Sequence, residues 1–187
     1  MTERTGWERI ARRIRVPLGF VFAAVFLWLA RPTWWSLGLS LLAVAPGVWL
    51  RGYAAGYVRK NEELTCTGPY GYTRNPLYLG SMLIAFGFAG AARSWVVLGV
   101  LAVLFGLIYW PTIRSEEAFL RSKFAGFEEY ASAVPRLLPR FTAAASGGGS
   151  GMFSRERYLH HREYNAVMGA LGIYAALVMR LVLPGHG

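Results

Sequence analysis

The sequence predicts an all-α protein, a polytopic membrane helical bundle of about five transmembrane helices. Three observations carry that expectation. Hydrophobic residues make up 55% of the 187-residue chain and charged residues only 16%. The apolar residues come in blocks of membrane length rather than at a steady amphipathic period. Lys and Arg, 20 against 10 acidic residues that are all Glu, fall mainly in alternate polar segments, as the bias of cytoplasmic loops requires. A net charge of +10 is also compatible with nucleic acid. No aromatic-basic strand pattern or helix-turn-helix spacing accompanies it, so no nucleic-acid partner is expected. The one cysteine, Cys66, excludes an intrachain disulfide and a cysteine zinc cluster. His160 and His161 are adjacent and do not share a helix face, so no metal site is expected.

In chain order, residues 1–15 carry five arginines and read as a basic interfacial segment. The first span is Val16–Ala30, flanked by Trp28 and Trp34-Trp35; it ends in Arg31-Pro32 without the small-residue pattern of a cleaved signal. The second run, from about Trp34 to Tyr53, is interrupted by Pro46-Gly47, where a kink is expected. Residues 16–57 thus hold two spans. Residues 58–140 form the core of the chain: a polar loop, a helical hairpin and an amphipathic helix. The hairpin pairs Leu77–Ala92, short for a span but rich in packing glycines, with Ser94–Ile113. The amphipathic helix places Leu120, Phe124, Phe127, Ala131 and Val134 on one face and is ended by Pro135 and Pro139. Residues 141–165 are a Gly/Ser hinge, Ser146–Gly151, and a basic segment; 166–187 hold the last span, Ala166–Leu183, with Arg180 able to snorkel.

Charge then gives the orientation. With the N-terminus in the cytoplasm, the outer loops carry only Arg31 and Arg93, and five spans leave the C-terminus outside. The expected location is the membrane, a bacterial inner membrane. Two polar clusters then face the cytoplasm together: the segment GPYGYTRNPLYLG, Gly68–Gly80, and Arg114-Ser115-Glu116-Glu117 beyond the next hairpin.

These clusters have chemistry to offer. Gly68-Pro69 and Gly71 are turn residues that let backbone approach a ligand closely. Asn75-Pro76 starts a helix whose N-terminus favours an anionic group. Tyr70, Tyr72 and Tyr78 present ring faces to an aromatic or cationic centre. An interfacial aromatic belt and an ordinary helix start account for the same residues. Glu116 and Glu117 suit a ligand carrying positive charge, or equally the solvated start of the amphipathic helix.

The two motifs together, GPYGYTRNPLYLG and SEEAFLRSKFAGFEEYASAVPRLLP, resemble the isoprenylcysteine carboxyl methyltransferase and phospholipid methyltransferase superfamily. The superfamily pattern is like G-x-Y-x-x-x-R-H-P-x-Y-x-G, a Glu-Glu pair, and F-G-x-x-Y-x-x-Y. The resemblance runs from Leu64 to Pro139. It implies an integral membrane enzyme that binds S-adenosylmethionine at a cytoplasmic site and methylates an acceptor reached from the lipid. By position, Glu62, Glu63, Leu64, Thr65 and Tyr70 would line the cofactor. Asn75, Pro76, Leu77 and Tyr78 would hold its amino-acid end, and Glu116 would be an anionic anchor. Asn75 stands where the superfamily commonly has His, and it cannot ionise. Tyr130 matches the last motif and reads as packing.

The implied partners are the bilayer and a lipid-like or small hydrophobic methyl acceptor. A carboxylate or thiolate acceptor needs no base. An amine does, and Glu117 would take the proton; Arg114 would orient an anionic substrate group. A phospholipid amine is the alternative acceptor. A membrane scaffold or transporter subunit is the non-enzyme alternative, disfavoured because no charge lies well inside the first four spans.

Overall fold

The computed structural model describes residues 22–59, 62–144 and 151–183, which are helical with connecting turns and contain no strand. Helix α1 covers 22–29; the earlier half of the expected first span, the basic N-terminal segment and nearly all of the Gly/Ser hinge lie outside the described residues. Helix α2 is Trp34–Tyr57 and α3 is Pro76–Ala92. Helix α4, Trp95–Leu104, runs through a π-helical stretch, Phe105–Tyr109, into α5, Trp110–Lys123. Two short helices follow, α6 (Phe127–Ala133) and α7 (Arg155–His160), then α8, Tyr164–Val182. Three helices are long and apolar enough to cross a membrane, Trp34–Tyr57, the continuous Trp95–Lys123 and Tyr164–Val182; the apolar α3 is shorter. The chain is an integral membrane protein.

Local chemistry sets the helix ends. Thr33 and Ser36 form a reciprocal capping box that starts α2. Ser94 caps α4, and the preceding Arg93 turns the chain in the left-handed region at φ 51°. Pro46 lies inside an unbroken α2. At Gly47 and Gly80 the α2 and α3 backbones meet so closely that a Cβ on Gly80 would stand 2.8 Å from the Gly47 carbonyl oxygen. The main core sits between α1, α2, α3, α4 and α8, around Leu37, Val44, Phe88, Val97 and Leu177. A second, small core of Phe127, Tyr130 and Val134 lies under the loop before α3.

Two expectations change. The fourth span does not stop at Ile113: the helix continues through Glu116 and Glu117 to Lys123, where Arg121 and Lys123 complement the dipole of its last turn. The expected amphipathic helix is instead two pieces, because Phe124 turns extended at φ −121°, ψ 115° before α6 begins. Its apolar positions still converge: Leu120, Phe127, Ala131 and Val134 share the small core.

Candidate functional site

Where α2 ends and α3 begins, three stretches of chain surround a cavity of about 180 Å³. The first is the loop after α2. In it Gly68, at φ 59°, lies against the Tyr57 ring and leads into a single 3-10 turn, Gly68–Gly71. That turn buries Tyr70, whose carbonyl accepts a 2.8 Å hydrogen bond from the Tyr130 hydroxyl. The second is the start of α3, and the third is α5 with Tyr130 of α6; a strap of residues follows α6.

The strap holds the motif through its backbone. Arg74 N donates to Pro135 O at 3.0 Å, Arg140 N to Tyr72 O at 2.9 Å, and Ala144 N to Gly71 O at 2.9 Å. Thr73, 2% exposed, donates from its hydroxyl to the Leu137 carbonyl at 3.0 Å. Asn75 precedes α3 but makes no side-chain cap to it. Its amide nitrogen donates instead to Arg136 O at 2.9 Å and to Glu117 Oε1 at 3.3 Å.

Of the ten expected cofactor residues, nine line the cavity: Glu63, Leu64, Thr65, Tyr70, Asn75, Pro76, Leu77, Tyr78 and Glu116. Glu62 is exposed on the loop and is not part of the wall. The Tyr78 hydroxyl faces the Glu116 carboxylate. The two expected catalytic residues stand outside the wall. Arg114 is exposed on α5. Glu117 is 3% exposed and is occupied within the chain. Arg136 Nε donates to Glu117 Oε2 at 2.9 Å and Arg136 Nη2 to the same oxygen at 2.8 Å, while Arg74 Nε stands 3.6 Å from Oε1. Arg136 also lies over the Trp110 ring at 5.2 Å. A carboxylate saturated in this way holds α5 to the strap and to the start of α3.

Burial pushes the Tyr70 hydroxyl well above its ordinary range, and the charges of Glu116 and Glu163 add to the effect. Burial likewise raises the Cys66 thiol to about 11, helped by Glu63. Both directions come first from burial; the cavity wall itself carries Glu63 and Glu116 together with Arg59 and Arg74, so it offers partners to charges of both signs.

Sequence reasoning missed Arg74 and Arg136. Arg74 was legible as the motif arginine but without a role, Arg136 only as positive charge at the membrane surface, and their common partner, Glu117, lies 43 and 19 residues away in the chain. Arg51 falls in or at the end of the expected second span. Arg51 lies inside α2 and binds Glu163 with two nitrogens, Nε at 3.0 Å and Nη2 at 2.8 Å. A charge within a helix that long was the available signal.

The sequence pattern of the phospholipid methyltransferase family matches residues 14–126. Among curated proteins, the cobalt-zinc-cadmium resistance protein CzcN of Cupriavidus metallidurans is 38% identical over 68% of this chain and 62% of its own length. The nickel-cobalt-cadmium resistance protein NccN of Alcaligenes xylosoxydans xylosoxydans is 35% identical over 57% of this chain and 48% of its own. The match thus spans about half to three fifths of these relatives. No solved structure gave a significant match.

Proposed function

The chain belongs to the phospholipid methyltransferase family, and on that premise we propose that it transfers a methyl group from S-adenosylmethionine to a lipid-associated or small hydrophobic acceptor. The observation that carries this reading is the convergence of Glu63, Tyr70, Tyr78 and Glu116 on one cavity from three separate parts of the chain. Glu116 and the two phenol rings suit the ammonium and sulfonium charges of the cofactor, and Arg59, which pairs with Glu63, and Arg74 on the same wall suit its carboxylate. The enclosed 180 Å³ is below the roughly 300–1,000 Å³ of whole-ligand pockets. The cavity therefore takes the charged end of the cofactor, and the rest extends past Val58 and Glu63 to the exposed loop.

Bound there, the cofactor supplies an electrophilic methyl carbon on a positively charged sulfur. The reaction is an in-line displacement, so the protein's work is alignment and exclusion of water. Glu116 anchors positive charge at the wall. Tyr70 and Leu77 line the inner side. Glu117 touches neither partner; with Asn75 and Arg136 it fixes the wall and is a positioning residue. Asn75 thus fills its place by bridging, with no need to ionise.

The family's own description favours a second reading, transfer to a phospholipid amine. An amine acceptor must lose a proton, and Glu116 is the carboxylate on the cavity wall that would take it. The names of the two relatives suggest a setting in metal tolerance. Among the described residues no three His, Cys, Asp or Glu converge, so on this reading tolerance runs through a methylated membrane component.

Titration calorimetry with S-adenosylmethionine on the purified full chain tests the assignment. Glu116→Gln is expected to weaken binding at least ~10-fold, the loss of a charge-assisted contact. Unchanged affinity would remove Glu116 from the site. Methyl-labelled cofactor with total host lipid then identifies the acceptor.

A further inference from the structure

A second and larger cavity, about 890 Å³, lies beside the first, between α1, α3, α4 and α8. Its wall is apolar through most of its depth, with Phe26, Ile84, Phe88 and Ile173 among its residues. From Glu163 to Ala176 it follows α8 for about 20 Å, more than one leaflet of a hydrocarbon core roughly 30 Å thick. One end only is polar, where Arg51, Ser81, His161, Arg162, Glu163 and Asn165 meet.

That end carries unspent positive charge. Arg51 and Glu163 neutralise each other at 2.8 Å. Arg162 remains, beside His161, whose Nε2 is buried without a hydrogen-bond partner. Arg162 also sits at φ 53°, a left-handed conformation that is strained for a residue with a side chain. Opposite α3 the wall is lowered by two glycines of α8. A Cβ on Gly169 or Gly172 would meet nothing within 4 Å, although both line the cavity. Glycine is a poor helix former, and no packed neighbour here requires it.

We propose that this cavity is the acceptor site and that its occupant is a long-chain monocarboxylate, tail between α3 and α8 and head group at His161 and Arg162. This rests on the methyltransferase reading. One net positive charge matches one carboxylate and repels the ammonium of a phospholipid amine. The two cavities share a wall: Arg51 Nη1 donates to the Leu77 carbonyl at 3.4 Å, and Leu77 lines the first cavity. In the transfer, a carboxylate oxygen forms the new O–CH3 bond as the C–S bond of the sulfonium breaks. The electron pair leaves with sulfur, the products are a methyl ester and a neutral thioether, and no proton is released. Half of this wall, His161 to Ala176, lies beyond the stretch that matches the family, so the acceptor preference belongs to this chain's own C-terminal helix.

The test uses the full chain in detergent and a spin-labelled C16 fatty acid, with cofactor binding measured separately by calorimetry. Saturable binding of the fatty acid is expected. Gly169→Leu with Gly172→Leu should weaken it at least tenfold and leave cofactor affinity unchanged. Arg162→Gly relieves the backbone strain, so it should preserve or raise the melting temperature while weakening the fatty acid at least threefold. Competition by phosphatidylethanolamine vesicles stronger than by palmitate, or binding indifferent to these substitutions, would overturn the proposal. Fatty-acid binding that responds to the substitutions in a protein that binds no cofactor would sink the methyltransferase reading and, with it, the acceptor role of the cavity.

Discussion

Glu117 is the side chain on which the geometry of the first cavity depends most. Its carboxylate is almost fully enclosed and receives Arg136 and Asn75 together. Removing one member of a buried pair leaves the other charge uncompensated, which costs about 3–5 kcal/mol; with Arg136 one-third exposed, the lower end applies. Glu117→Gln is therefore expected to destabilise the protein by about 3 kcal/mol, read as a lowered thermal midpoint in detergent. Adding Arg136→Met should recover part of that loss, because the orphaned cation is gone. A Glu117→Gln variant of normal stability that lacked only activity would instead restore the carboxylate as a proton acceptor. Cys66 gives a second test of the same enclosure. Its thiol titrates near 11 against an ordinary 9.0, so between those values the unfolded chain has released the proton and the folded chain has not. Stability is therefore expected to fall as pH rises through that window. Alkylation at pH 8 should be at least ~10-fold slower in the folded protein than after unfolding, since only the thiolate reacts. Equal rates would mean that the loop before α3 does not cover Cys66.

The α2–α3 pair shows which glycines are structural. A Cβ on Gly80 meets the Gly47 carbonyl at 2.8 Å and the Arg51 Cγ at 2.7 Å, and backbone cannot step aside. Gly80→Ala is expected to cost about 1–3 kcal/mol, the usual penalty of overpacking. Gly90 on the same helix has nothing within 4 Å, so Gly90→Ala should be neutral or stabilise by up to ~1 kcal/mol. Matched melts of the two variants decide the point, and equal effects would mean the helices do not meet at Gly47. The apolar blocks were readable because every residue in them reports the same medium; α2, α3 and α8 begin within about two residues of where composition puts them. The loop motif was readable because turn glycines, prolines and tyrosines lie close together in the chain. What could not be read was pairing at a distance. Nothing local tells that Asn75 bridges to Arg136 and not to its own helix, or that Arg51 waits for Glu163, 112 residues on. The break at Phe124 was hidden for a related reason. The apolar period continues across it, since both pieces bury the same face in the small core.

The distribution of arginine over the whole molecule supports the proposal that the candidate cavity faces the cytoplasm. One end of the bundle gathers three: Arg31, whose amide donates to Ala92 O at 2.8 Å, Arg93 beyond α3, and Arg180, whose Nε donates to Ala30 O at 2.7 Å. Exposed Trp28, Trp34, Trp35 and Trp95 ring that end, as an interfacial belt should. The opposite end carries Arg59, Arg74 and the basic residues from Arg114 to Arg162, together with the cavity. Membrane proteins tend to keep the richer side in the cytoplasm, a bias strongest for short loops, and the proposed orientation follows it. Arg180 does not weigh against the assignment, because its donors are spent on carbonyls of the α1 end and its charge lies at the interface. The expected outcome is a C-terminal alkaline phosphatase fusion that is active and a C-terminal green fluorescent fusion that is dark. A cysteine introduced at exposed Glu62 in a Cys66→Ser background should be labelled by an impermeant maleimide only after the cells are opened. Labelling of intact cells there would invert the topology and take the cavity away from a cytosolic cofactor. Reversal of the fusion signals alone, with Glu62 still shielded, would mean that α8 returns to the cytoplasmic side; the cavity would keep its face, and the acceptor groove along α8 would lose its long wall.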